Sequence, residues 1–227
     1  AWKGPSDFHA YGRLNYEATL RWPRDPKDPI QPGLAKEWKF SADGKELTLY
    51  FRKGLKWSDG TPWTVDDIIF WWEDIELNKD LTSAPHAEYV VNGKPMTLEK
   101  IDDATIKLKF DGPNGLIVRM LAFHGNQWPL NFERFGFYAP AHFLKQYHPK
   151  YNKDIKDYKL FNEKADDLTA GRPAMTPWTV ETYKPGDAKL IAKRNPYYWK
   201  VDEKGQQLPY IDYIEMSLVQ NNDAVAA

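Results

Sequence analysis

The sequence predicts an α+β fold, and three observations predict it. Short stretches with a period of two recur along the 227 residues, among them Leu47, Leu49 and Phe51, and Ile106, Leu108 and Phe110. One stretch, about 64–77, has clear helical spacing. Strand-like and helix-like stretches do not alternate in the regular order that a doubly wound parallel sheet requires.

Taken from the start, residues 21–33, RWPRDPKDPIQPG, hold four prolines and read as an extended connection, since proline blocks both helix and central strand. Lys36 to Lys53 reads as a β-hairpin. Trp38 and Phe40 lie on one arm, Ser41-Ala42-Asp43-Gly44 forms the turn, and Leu47, Leu49 and Phe51 alternate with Thr48 and Tyr50 on the other arm. KWSDGTPW, residues 56–63, holds a tight turn at Asp59-Gly60, and Pro62 ends any strand. Thr64 with Asp67 three residues later resembles a capping box, Asp standing for the usual Glu or Gln. Val65, Ile68, Ile69, Trp72 and Ile75 then define the helix 64–77.

Residues 78–96 read as a polar loop with a turn at Asn92-Gly93, and 104–110 as a strand with one wet, lysine-bearing face. A short helix is expected over 115–122, an aromatic loop over 123–139, and another short helix over 141–147 after Pro140. Residues 149–176 are weakly patterned. Two more strands are expected, one within 179–194 and one over 211–219, separated by a break at Asn195-Pro196.

Composition narrows the function. Lys and Arg number 31 against 32 Asp and Glu, a net charge of -1, so no broad basic surface invites nucleic acid or anionic lipid. Aromatic residues reach 15%, with 10 Trp, and large rigid rings suit binding surfaces as well as cores. The absence of cysteine removes disulfides, thiolate metal sites and a cysteine nucleophile. No apolar run approaches the roughly 18 residues of a membrane span, and Ala1 to Phe8 lacks the basic and apolar regions of a signal peptide.

No nucleophile elbow, P-loop, dinucleotide fingerprint or HExxH motif occurs. His142 and His148 are six apart, which is no usual zinc spacing. The acid pairs Asp66-Asp67, Asp102-Asp103 and Asp166-Asp167 are adjacent in sequence and so point in different directions. The first pair suits a helix's first turn. Trp57 and Trp63, flanking the SDG turn, read as structural. No catalysis, cofactor or metal is expected.

Residues 32–75, PGLAKEWKFSADGKELTLYFRKGLKWSDGTPWTVDDIIFWWEDI, resemble the signature region of the family 5 bacterial extracellular solute-binding proteins, the oligopeptide- and dipeptide-binding proteins of ABC importers. Leu34, Ala35, Trp38, Arg52, Lys53, Gly54, Lys56, Trp57, Asp59, Gly60, Pro62, Thr64, Asp67 and Phe70 match its pattern. IDDATIKLKF (101–110), PWTVETYKPGDAKLIAKRNPYYW (177–199) and LPYIDYIEMSLVQNNDAVAA (208–227) are similar to later segments in the same order.

The resemblance implies a class II periplasmic-binding-protein-like fold, with mixed sheets, peripheral helices and a C-terminal lobe missing from this chain. Residues 1–15 would be part of the first ligand-clamping lobe, 16–140 a peripheral lobe, and 141–227 the rest of the first lobe, cut before the second. It implies a receptor that captures an oligopeptide or dipeptide between lobes and hands it to a membrane permease, in the periplasm or as a surface lipoprotein, and a monomer. His86, in the segment matching the family's peripheral pocket aromatic, is expected to touch ligand. Phe123, Asn126, Trp128 and Phe132 of the aromatic loop are expected to join it, through ring stacking and an amide hydrogen bond. A β-linked oligosaccharide is the alternative ligand, prompted by the tryptophans. A carbohydrate- or peptide-acting hydrolase is the alternative of another class.

Overall fold

The computed structural model describes residues 15–123 and 137–217. Its largest sheet grows from the predicted hairpin. Strand β3 (Ala35–Phe40) pairs with β4 (Glu46–Phe51), and Gly44 takes φ +68 in the connecting turn. Ser41 fastens that turn, its hydroxyl donating to Asp43 and accepting from the Glu46 N–H. Strand β8 (Thr105–Lys109) pairs with β4, and β7 (Thr97–Asp102) with β8, giving the antiparallel order β3-β4-β8-β7. Leu47, Leu49, Phe51, Ile106 and Leu108 are buried on one face. The other carries the ion pairs Lys107–Glu46 and Lys109–Glu99.

Ahead of the hairpin, β1 (Leu20–Arg21) and β2 (Gln31–Pro32) pair and close the proline-rich excursion into a loop. Gly33 lets the two chain segments touch. A Cβ there would stand 2.4 Å from the Ala18 carbonyl oxygen, and the adjacent Leu34 and Ala35 N–H groups donate to the Ala18 and Thr19 carbonyls.

Helix α1 (Asp66–Phe70) continues without a break as a π-helix over Trp71–Glu76, where sequence spacing predicts one regular helix. The Leu77 N–H reaches back five residues to the Trp72 carbonyl. The wider turn accompanies the burial of two consecutive rings, Trp71 and Trp72, which a regular α turn splays about 100° apart. The capping box is present in altered form: the Asp67 carboxylate accepts the Thr64 N–H at 3.2 Å, while the Thr64 hydroxyl takes the N–H of Asp66.

The region predicted as a loop at 78–96 holds a 3-10 turn (Ala87–Tyr89) and a small hairpin, β5 (Val90–Val91) and β6 (Lys94–Pro95), around Asn92 and Gly93, both at positive φ. Strand β7 has no counterpart in the prediction. It is a sheet edge with mostly exposed side chains, so its sequence, TLEKID, shows no alternation. Helices α2 (Ile117–Phe123) and α3 (Ala141–Leu144, followed by a 3-10 turn to Tyr147) fall where expected, and α4 (Lys159–Ala165) lies within the weakly patterned stretch. Strands β9 (Trp178–Thr182), β10 (Lys189–Arg194) and β11 (Tyr213–Ser217) form a second antiparallel sheet in the order β11-β10-β9.

One apolar core joins the first sheet, α1 and its π extension, α2, Phe137–Ala139, and the inner faces of α3 and α4. The second sheet has a small core of its own, Leu168, Val180, Leu190 and Ala192, with Trp178, Tyr183, Ile214 and Met216 packed around it. No helix among the described residues is long and apolar enough to cross a membrane.

Candidate ligand-recognition site

The SDGTPW turn and the first turn of α1 meet at Asp67. Its carboxylate is buried and accepts from Trp57 Nε1 at 3.0 Å, Thr64 N at 3.2 Å and Ala141 N at 3.0 Å. Burial pushes its carboxyl above the usual range, and the three donors pull it back only in part. Trp57 and Trp63 are buried and both pack edge-on against Tyr138, so the structural reading of these two rings holds. On the turn itself, Asp59 Oδ2 lies 2.8 Å from His142 Nε2.

Further along the same helix, Asp74 is also buried. It takes the Lys150 ammonium on one oxygen and the Tyr151 hydroxyl on the other, each at 2.5 Å, and its carbonyl lies 3.2 Å from His148 Nε2. Asp74 raises the Lys150 ammonium above its ordinary value, while burial lowers the His148 imidazole. Asn78 closes the row, its amide donating to the Tyr158 hydroxyl at 2.7 Å. Asp67 and Asp74 lie seven residues apart on the helix, and Asn78 follows two residues past its end.

Glu76 faces the other way. One of its oxygens, Oε1, lies 2.5 Å from His86 Nδ1 and accepts the His86 backbone N–H at 2.7 Å. Glu76 is buried, and the His86 side chain is 36% exposed, so a fixed imidazole stands at the surface. Behind it, Tyr89 packs against Trp71, Trp72 and Phe137. Helix α2 packs on the same 87–89 turn. His86 thus stands beside a turn on which the flanks of the expected aromatic loop, α2 ending at Phe123 and the returning Phe137, converge. Asn126, Trp128 and Phe132 lie outside the described residues, as does the side chain of Phe123.

A second buried carboxylate cluster has no signal in the sequence. Glu17, 1% exposed, receives the Tyr198 hydroxyl at 2.7 Å and the Lys200 ammonium at 2.8 Å. Burial lowers the Lys200 ammonium, Glu17 opposing it, and burial beside Glu17 raises the Tyr198 phenol. The Arg52 guanidinium stands 4.5 Å and the Lys200 ammonium 5.1 Å from the centre of the Trp199 ring. Neither this cluster nor Asp74 and Glu76 is singled out by motif or spacing, because their partners stand up to 183 residues away. Among the described residues no group of three or more His, Cys, Asp or Glu is placed to hold a metal ion.

The chain matches the bacterial extracellular solute-binding proteins, family 5 Middle, over residues 29–227. The periplasmic α-galactoside-binding protein of Rhizobium meliloti is 36% identical over 199 residues, 86% of this chain and 26% of that protein. The periplasmic oligopeptide-binding protein OppA of Escherichia coli is 25% identical over 187 residues, 74% of this chain and 28% of that protein. Among solved structures, an oligopeptide-binding protein OppA superposes with a TM-score of 0.84 at 36% identity, over 99% of this chain and 35% of that one. The periplasmic binding protein MelB of Agrobacterium fabrum, in complex with stachyose, superposes with a TM-score of 0.72 at 34% identity, over 91% of this chain and 30% of that one. The chain therefore spans about a quarter to a third of the relatives it matches.

Proposed function

The chain belongs to the family 5 bacterial extracellular solute-binding proteins, and from that premise we propose that the full-length protein is an extracytoplasmic ABC-importer receptor whose ligand is an α-galactoside oligosaccharide. The observation that carries the ligand is the 36% identity to the Rhizobium meliloti α-galactoside-binding protein over 86% of the chain. The stachyose-bound MelB structure supports it, and so does the aromatic content, since flat rings stack on the apolar faces of sugars. This ligand replaces the oligopeptide or dipeptide expected from the sequence, and its linkage is α where the alternative oligosaccharide expected there is β-linked.

In this reading no bond is made or broken. Residues 16–140 form a peripheral lobe, and 1–15 with 141–227 contribute to a clamping lobe. The receptor works as a monomer and delivers its solute to a membrane permease. His86, braced by Glu76, stands in the ligand wall with Phe123, Asn126, Trp128 and Phe132, where it exchanges hydrogen bonds with hydroxyl groups while the rings stack. A peptide ligand is the second reading, favoured by the OppA structure at TM-score 0.84.

A thermal-shift series on the full-length protein separates the two. Stachyose and raffinose form one arm, di- to pentapeptides the other. A ligand at 100 times its Kd adds about 2.7 kcal/mol. A shift with the galactosides alone supports the proposal, and a shift with peptides alone replaces it by the second reading. No shift with either removes the ligand assignment and leaves the family membership.

A further inference from the structure

We propose that His148 is an acid-sensitive fastening: its neutral ring holds the turn at residues 148–152 against the π-helix, and a proton taken up by that ring loosens the turn. The device does not depend on which ligand the receptor takes.

Both ring nitrogens have partners that fix their roles. Nε2 lies 3.2 Å from the Asp74 carbonyl oxygen, which only accepts, so Nε2 carries the hydrogen. Nδ1 accepts the Lys150 backbone N–H at 3.1 Å, so Nδ1 carries none. The imidazole is therefore the neutral Nε2–H tautomer. A second proton has a place only on Nδ1, where it would face the N–H that Nδ1 now accepts. The backbone of the same residue holds the rest of the turn, because the His148 carbonyl accepts the N–H groups of Tyr151 and Asn152 at 2.9 and 3.0 Å. Three consecutive amides thus lean on His148.

The surroundings oppose a charge on the ring. His148 is 1% exposed. The rings of Phe70, Tyr151, Tyr158 and Phe161 stand around it, with centroids 5.1 to 6.2 Å away, and leave no water to hydrate an imidazolium. Two charged groups act on it, Asp74 from the π-helix and Lys150 from its own turn. The Asp74 carboxylate is already engaged by the Lys150 ammonium and the Tyr151 hydroxyl. Lys145, from the 3-10 turn, stands over the Phe70 and Tyr151 rings at 5.5 and 4.9 Å and adds a second positive charge on that side. Phe161 and Tyr158 come from α4 and its flank, and the Tyr158 hydroxyl accepts the Asn78 amide.

Burial outweighs the attraction of Asp74 and lowers the His148 imidazole below its ordinary value. The folded protein then binds fewer protons here than the opened turn. The stability this residue contributes is present above the opened-state value of about 6.5 and is lost as pH falls from there through the folded value. That window begins well above the one in which carboxylates titrate. In the receptor reading the protein works outside the cytoplasm and meets the pH of its surroundings, so the fastening answers to them directly.

The test is hydrogen exchange of the full-length protein between pH 8 and pH 5, each rate referred to the intrinsic rate at that pH. Protection of the Lys150, Tyr151 and Asn152 amides is expected to fall with pH, by at most about 30-fold, the limit set by an opened-state value near 6.5. In His148→Gln, whose amide has a donor and an acceptor but does not titrate, the same protection is expected to stay within about twofold over that range. The pairs His86–Glu76 and His142–Asp59 are present in both proteins, so the difference belongs to His148. A change below about twofold in the parent protein overturns the proposal, as does a pH dependence that persists in the variant. If the variant does not fold, ring-nitrogen NMR of the parent protein labelled with nitrogen-15 histidine decides. One imidazole is expected as the Nε2–H tautomer at pH 7 with its midpoint below about 6.5; a His148 ring found as the Nδ1–H tautomer, or titrating at the ordinary value, overturns the proposal.

Discussion

Asp67→Ala probes a buried carboxylate that takes three donors. The substitution leaves three donors without their acceptor: Trp57 Nε1, Ala141 N and Thr64 N. Trp57 and Ala141 are buried, and a buried donor left unmade costs about 1–3 kcal/mol. Thr64 is half-buried, so water replaces much of what its N–H loses. Against these losses stands the burial cost of the carboxylate itself, visible in its raised pKa, which the variant no longer bears. The balance is a local destabilisation of about 3 kcal/mol. The assay is native-state hydrogen exchange at the Ala139 amide, which donates to the Asp67 backbone carbonyl and keeps that partner in the variant. At about 1.4 kcal/mol per factor of ten, its exchange accelerates by about 100-fold. Lys100→Ala, which removes exposed ion pairs to Asp66 and Asp103, is the control and changes exchange by less than fivefold or so. An Asp67→Ala rate within about threefold of the parent protein would refute the reasoning, because it would mean that the three donors find water without cost.

Two further outcomes follow from the same chemistry. Lys200→Met leaves Glu17 buried with the Tyr198 hydroxyl but without its ammonium; breaking such a pair costs about 3–5 kcal/mol, read as a lowered melting temperature, and adding Glu17→Gln restores part of it, whereas no loss in Lys200→Met would show the pair to be solvated. In acid, Asp43, Asp111 and Asp202 are held below the usual carboxylate range, chiefly by the Ser41 hydroxyl, the Lys94 ammonium and the Tyr210 hydroxyl respectively. Groups with depressed folded values contribute stability that is present above the unfolded pKa of about 3.8 and is lost as pH falls through the folded values; Asp67, raised by burial, works in the opposite sense. Melting temperature is therefore expected to fall below about pH 4, and a flat profile down to pH 3 would contradict it.

The elements that sequence reading locates best are those whose alternation faces a core. The hairpin 36–53 appears as β3 and β4 because Leu47, Leu49 and Phe51 are buried while Thr48 and Tyr50 are not. Strand β7 escapes because nothing on it is buried deeply enough to mark a face. The π-helix escapes because Trp72 and Ile75 satisfy regular spacing as well as they satisfy a wider turn. At the site, the resemblance brings His86 forward, but only the fold shows Glu76 behind it, ten residues earlier and on a different element. Glu17 and Lys200 are the extreme case: neither has a sequence neighbour that marks it, and the pairing exists only after the N-terminal segment packs against the NPYYWK stretch. The resemblance also covers motifs, not contacts, so the partners of Asp59, Asp67, Asp74 and Asn78 are invisible until the chain is folded.

The buried tryptophans of the main core have an optical consequence. Trp57, Trp63, Trp71 and Trp72 are each 5% exposed or less, and the Trp71 and Trp72 rings sit 5.7 Å apart at 43°. Four indoles shielded in this way emit at short wavelength whether or not a solute is present. Emission from these four indoles is thus a gauge of the intactness of the core. The Trp71–Trp72 pair, close and inclined, couples its transitions and gives the near-ultraviolet dichroism of the helix a distinct signature. A change in that signal would report the π-helix itself, making two adjacent side chains a built-in marker for that turn.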